Sequence, residues 1–144
     1  TNVKVVNTDG FNYIEKKSED KESFFMFIDP SYEIKEDFDK IHKVLDNFET
    51  KYETCKIVIW YPILNFLEND TFIESIRKKS ISKLINIELP IMSNTEDRGM
   101  KGSGLLIINF NDKKIMKELR DLLKDLHFYL KVNDDAFNPK VRYL

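Results

Sequence analysis

Residues 27–33 read Phe-Ile-Asp-Pro-Ser-Tyr-Glu, directly behind the apolar run Phe24 to Ile28. Asp29 offers a hydrogen-bond acceptor, Pro30 a backbone carbonyl on a rigid ring, and Tyr32 a stacking face. Together, at the carboxyl end of a buried strand, they are what is needed to hold a flipped-out base by its exocyclic amine. The chemistry this suggests is methylation of an amino group on a nucleic-acid base. A second acid, Asp9, stands before Gly10 at the end of the strand-like Val3-Lys4-Val5-Val6. Asp-Gly and Asp-Pro are both ordinary turn pairs, so neither is informative alone. Two of them at the ends of successive strands argue for a shared crevice.

The elements that must position these residues follow from periodicity. Val3 to Val6 reads as a strand, Asn7 to Gly10 as its turn, and Phe11 to Lys17 as a short helix. Lys16 to Ser23 is charge-rich and reads as a solvated loop. Phe24 to Ile28, continuously apolar, predicts a strand buried on both faces. Phe38, Ile41, Leu45 and Phe48 share one face of a helix spanning Glu36 to Thr50. Lys56 to Tyr61 predicts the next buried strand, with Pro62 ending its ladder. A helix to about Lys79 follows, then strands at Lys83 to Leu89 and Leu105 to Phe110. The segment between those strands, Pro90 to Gly104, has Gly99, Gly102 and Gly104 and no helical period, so the pair must be antiparallel. Ile115 to Leu130 predicts a long final helix, and Val132 to Leu144 a tail. The order argues for one open α/β sheet with its ligand site at the carboxyl ends of the parallel strands.

Composition sets bounds on this reading. The 144 residues, 42% hydrophobic and 33% charged, suit one ordinary globular domain over 1–144. A net charge of −2 and pI near 5.8 leave nucleic-acid contact to local patches. With four glycines and no Gly-x-Gly-x-x-Gly, no phosphate-cradling loop is present. The lone Cys55 excludes a disulfide framework and a multi-cysteine zinc site, and fits a reducing, cytoplasmic setting. No apolar stretch approaches a membrane span.

Other candidates have simpler readings. His42 and His127 read as surface or packing residues, and Cys55 as a small buried hydrophobe. The basic cluster Arg77-Lys78-Lys79 suits a helix carboxyl terminus. Arg98, Lys101 and the Arg77 to Lys79 cluster could also touch RNA phosphates, a reading about as well supported as that of a solvated surface. Trp60 and Tyr61 are either the wall of a base pocket or plain core.

Several stretches, in order, carry a family resemblance: Val3-Lys4-Val5 with Asp9-Gly10-Phe11, Ile28-Asp29-Pro30-Ser31-Tyr32-Glu33-Ile34-Lys35, Trp60-Tyr61-Pro62, Lys83-Leu84 with Ile87-Glu88-Leu89, Arg98-Gly99-Met100, Ser103-Gly104 and Ile107-Ile108-Asn109. The whole chain resembles the carboxyl-terminal part of the bacterial 23S ribosomal RNA adenine N6-methyltransferases of the RlmJ type, once also described as proteins for catabolism of external DNA. The resemblance implies a Rossmann-like class I methyltransferase sheet using S-adenosyl-L-methionine and no metal. It implies that Asp9, Gly10 and Asp29 contact the cofactor, that Asp29 is catalytic, and that Pro30 and Tyr32 hold the base. The partner implied is 23S ribosomal RNA, with the full-length protein monomeric. Two departures stand out. Ser31 replaces the family's second proline, which loosens the backbone after Asp29. The amino-terminal cofactor strands are absent, so the sheet is expected to be incomplete, with Val3 to Val6 unpaired and Phe24 to Ile28 an exposed edge. Such a piece alone is expected to be inactive. A non-catalytic nucleic-acid-binding module and a role in using external DNA are the alternative functions.

Overall fold

A computed structural model describes residues 3–17, 23–32, 36–79, 81–93, 99–110 and 112–144. Within them the elements run α1 (Gly10–Lys17), β1 (Phe25–Ile28), α2 (Glu36–Asp46), β2 (Lys56–Ile63), α3 (Phe66–Arg77), β3 (Leu84–Pro90), β4 (Gly102–Ile108), α4 (Lys113–Leu130) and β5 (Lys140–Tyr143), with a π-helical turn over Phe48–Tyr52. The five strands form an open sheet in the order β1-β2-β4-β3-β5. β1 is parallel to β2, and every other neighbouring pair is antiparallel. The predicted antiparallel partnership of the last two long strands is therefore present, with β4 inserted between β2 and β3.

Alternation along the strands assigns the two faces. Met26, Ile28, Ile57, Ile59 and Ile108 pack against Ile41 and Leu45 of α2 and Ile73 and Ile76 of α3. Ile85, Ile87, Leu105 and Ile107 pack on the opposite face against Met116, Leu119 and Leu123 of α4. Side-chain oxygens of Asn65 and Asp112 cap α3 and α4 by accepting from the first backbone amides.

Five expectations are corrected. Residues 3–6 form no strand, and Val3 and Val5 are exposed, because no described strand offers them a ladder. β1 is buried on one face only: Phe25 and Phe27 are 60% and 59% exposed, since nothing described covers β1's second face. It is an edge strand, as expected. β2 runs through Pro62 to Ile63. The Ile63 carbonyl accepts from Lys101 N at 2.6 Å on the β4 side, so Pro62, one residue earlier, turns its missing N–H toward the side where β1 has already ended. Gly102 and Gly104 belong to β4, not to a loop; a Cβ on Gly104 would lie 1.9 Å from Tyr61 Cζ, so the glycine admits the ring. The supposed tail contains β5, which pairs with β3. Its Arg142 meets the Glu88 carboxylate at 2.9 Å, and a buried carboxylate needs such a partner. Most of the predicted loop at Lys16 to Ser23, and the motif residues Glu33 to Lys35, lie outside the described residues.

Candidate functional site

β1 delivers Asp29 to its carboxyl-terminal tip, where the residue is exposed. No described residue makes a hydrogen bond or ion pair to its carboxylate, which leaves both oxygens free to accept from a ligand. The chain then turns sharply: Tyr32 has φ 55, a left-handed conformation that costs an ordinary residue about 1–3 kcal/mol and persists only where its surroundings hold it. Two anchors do so. Asp37, in the first turn of α2 and buried, accepts on Oδ2 from Tyr32 N at 3.1 Å and from Ser31 Oγ at 3.2 Å. The Tyr32 hydroxyl donates to the Trp60 carbonyl, which faces the same side of β2 as Pro62.

Ser31 therefore has a positive role here. The hydroxyl that stands in place of a second proline ties the loop to Asp37, replacing ring rigidity with a hydrogen bond. Tyr32 is almost wholly buried, tilted on Phe38 with centroids 4.9 Å apart and edge-on to Trp60 at 5.6 Å. Burial first, then the Asp29 and Asp37 carboxylates, push its phenol well above the ordinary range, so it stays a donor at every working pH.

Asp9 caps α1. Its Oδ1 accepts from Asn12 N at 2.9 Å and its carbonyl from Tyr13 N at 3.0 Å. Gly10 follows, with nothing within 4 Å of the position a Cβ would take. Lys40 joins this turn to the Asp29 loop: its Nζ lies 4.0 Å from Asp9 Oδ2 and 3.3 Å from Asp37 Oδ1, with its charge 5.4 Å from the Phe11 ring centroid. The chain Asp9, Lys40, Asp37, Ser31 and Tyr32 thus brings both predicted crevice segments to the amino-terminal half of α2.

The remaining candidates separate from this site. Tyr61 is fully buried and donates to Asn86 Oδ1 at 2.7 Å, so it is core. Lys101 is buried and partnered, which removes it as a phosphate contact; Arg98 lies outside the described residues. Lys79 pairs with Asp46, and Arg77 with Glu74 at 3.5 Å. His127 Nδ1 lies 2.9 Å from the Pro90 carbonyl, and Cys55 is buried. Among the described residues no group of three His, Cys, Asp or Glu could hold a metal ion, and no helix is long and apolar enough to cross a membrane. Asp37 and Lys40 are the residues sequence reasoning missed. Their only signal is an acid in the first turn of a helix that begins a few residues after Asp-Pro-Ser-Tyr.

An open mixed α/β sheet whose strand tip carries an acid with no partner among the described residues, a proline carbonyl and a pinned aromatic is consistent with a methyltransferase-like fold. Within that class, the family model described as ribosomal RNA large subunit methyltransferase D, RlmJ, matches residues 1–136, and the chain belongs to this family. Ribosomal RNA large subunit methyltransferase J of Haemophilus influenzae is 30% identical over 109 residues, which are 75% of this chain and 39% of the relative. The Escherichia coli K12 protein of the same name is 26% identical over 125 residues, 86% of this chain and 44% of the relative. The crystal structure of a Legionella pneumophila protein matches with a TM-score of 0.75 at 29% identity, covering 94% of this chain and 49% of that one. The chain spans less than half the length of these relatives.

Proposed function

We propose that the protein acts in S-adenosyl-L-methionine-dependent N6-methylation of an adenine in 23S ribosomal RNA, and that this chain supplies the base-holding part of a Rossmann-like class I site. The observation that carries the reading is the Asp29 carboxylate at the tip of β1, without a partner among the described residues, on a loop pinned by Asp37. An exocyclic amine is a poor nucleophile because its lone pair is delocalised into the ring. Hydrogen bonds from its two protons to the Asp29 carboxylate and the Pro30 carbonyl localise that lone pair toward the incoming methyl group. Asp29 then takes up the proton that the amine must lose. Tyr32, almost wholly buried on Phe38 and Trp60, serves the base by holding the turn that aims the Asp29 carboxylate and the Pro30 carbonyl.

Asp9 and Gly10 suit the cofactor: the acid is exposed, and the glycine leaves open space beside it. When bound, S-adenosyl-L-methionine supplies the methyl group on a good leaving group, so the protein's task is to orient and to exclude water. The names of the family and of its relatives support ribosomal RNA as substrate. The test is transfer of labelled methyl to unmodified 23S RNA by the full-length protein. Asp29→Ala is expected to lower incorporation at least 100-fold; incorporation equal to wild type would remove Asp29 from the chemistry.

A further inference from the structure

A groove of about 580 Å³ runs between α2 and α3, and Tyr32 belongs both to its wall and to the Asp29 loop. The wall is aromatic and continuous: Phe38 meets Tyr32 at 4.9 Å and Phe72 at 5.1 Å between centroids, and the core residue Tyr61 backs Phe72 from behind at 5.4 Å. Its volume lies within the ordinary range for small-ligand sites, which combine such walls with a few placed polar groups. Here the Thr71 and Ser75 hydroxyls are spent on the Leu67 and Phe72 carbonyls, and acceptors stand out among the rest. Asp39 and Glu68 are exposed at the groove, and neither has an ion-pair partner among the described residues. Asn69, also in the lining, is 6% exposed; its Nδ2 donates to Glu88 Oε1 at 3.0 Å, while its buried Oδ1 has no hydrogen-bond partner. A buried acceptor without a donor is costly, and a ligand N–H would relieve it. His42, the one basic side chain in the lining, is held toward its neutral form, chiefly by burial and then by Lys79. Two unpaired carboxylates and no cation repel a phosphate; they suit a planar ring with an exocyclic amine.

We infer that this groove takes a second amino-bearing base of the RNA, beside the one held at Asp29. The inference rests on the RNA-methylating reading for its ligand, but its test does not require turnover. Adenosine, cytidine and uridine are titrated separately into the protein while the backbone amide signals of Phe72 and Ser75 are followed by NMR. Adenosine and cytidine are expected to shift both signals and to bind at least 10-fold more tightly than uridine, which lacks the amine. Asp39→Asn combined with Glu68→Gln removes two exposed charges and is expected to bring the three nucleosides within about 2-fold, with the rest of the spectrum unchanged. Asp29→Ala is expected to leave the preference intact. The inference is overturned if no nucleoside moves these signals, if uridine binds equally, if the double variant keeps the preference, or if Asp29→Ala abolishes it. Failure of methyl transfer alongside intact groove binding would count against the proposed reaction and not against the pocket.

Discussion

Replacing Asp37 by alanine tests how the loop after Asp29 is held. The residue is 5% exposed, and its side chain receives hydrogen bonds from Tyr32 N at 3.1 Å, Ser31 Oγ at 3.2 Å and Lys40 Nζ at 3.3 Å. The three losses are unequal. The Tyr32 N–H is buried, and stranding it costs about 1–3 kcal/mol. Ser31 is exposed and turns its hydroxyl to water, while Lys40, about a third exposed, gives up an ion pair of ~0–1 kcal/mol. The sum is about 1–4 kcal/mol, which lowers Tm by roughly 3–15 °C in a domain of this size. Asp37→Asn keeps one acceptor oxygen for Tyr32 and loses mainly the charge, so its cost is about 1 kcal/mol. Circular dichroism melts give the stabilities. Methyl transfer by the full-length protein, measured well below each Tm, gives the second readout. A loop misplaced by about 1 Å lowers turnover on the order of 100-fold. An alanine variant that melted within 1 °C of wild type and turned over normally would refute the clamp.

Four further outcomes follow from particular contacts. Gly104→Ala drives a Cβ to 1.9 Å from Tyr61 Cζ, so it should lower the urea midpoint by the equivalent of about 3 kcal/mol; a loss under 0.5 kcal/mol would contradict the packing. Gly10→Ala meets nothing within 4 Å and should leave Tm unchanged or slightly raised while weakening cofactor binding by the full-length protein at least 10-fold by calorimetry; equal binding would remove Gly10 from the proposed cofactor site. Arg142→Ala removes the nearer of the two cations on the buried Glu88, leaving Lys140 at 3.9 Å, and should cost about 2 kcal/mol and speed amide exchange across β5; unchanged exchange would show that the pair does not hold the strand. Burial, then Lys79, lowers the His42 pKa, so below about pH 6.5 the unfolded chain binds a proton that the folded chain refuses. Stability should therefore fall as pH drops from 7 toward 5.5, and His42→Gln should reduce that slope; identical slopes would contradict the assignment.

How much of this was legible in the sequence depends on whether a feature is local. The helices over Glu36–Asp46, Phe66–Arg77 and Lys113–Leu130 show in their apolar spacing, because each buries one stripe. Asp29 at a strand tip and the antiparallel β3–β4 pair were legible for the same reason: a short apolar run and a connection without a helix are local signals. The misses are all non-local. Phe24 to Ile28 has the composition of a strand covered on both faces, and only the sheet order reveals that β1 has an open side. Pro62 looks like a strand stop unless one knows that its N–H would face past the end of β1. β5 is four residues long, and what secures it is the buried Glu88, more than fifty positions earlier. Asp37 lies in the first turn of a helix, where an acid is ordinary, and only the loop folded back upon it makes it a clamp.

The central claim is that Asp29 presents an adenine amine for methylation, and nucleoside analysis of the product tests it most directly. 23S RNA transcribed without modifications is treated with the full-length protein and S-adenosyl-L-methionine, digested to nucleosides and resolved by mass spectrometry. The account predicts N6-methyladenosine as the new species with the wild-type protein, and its loss with Asp29→Ala. A methyl group on another base, or N6-methyladenosine formed equally by the Asp29→Ala variant, would contradict it.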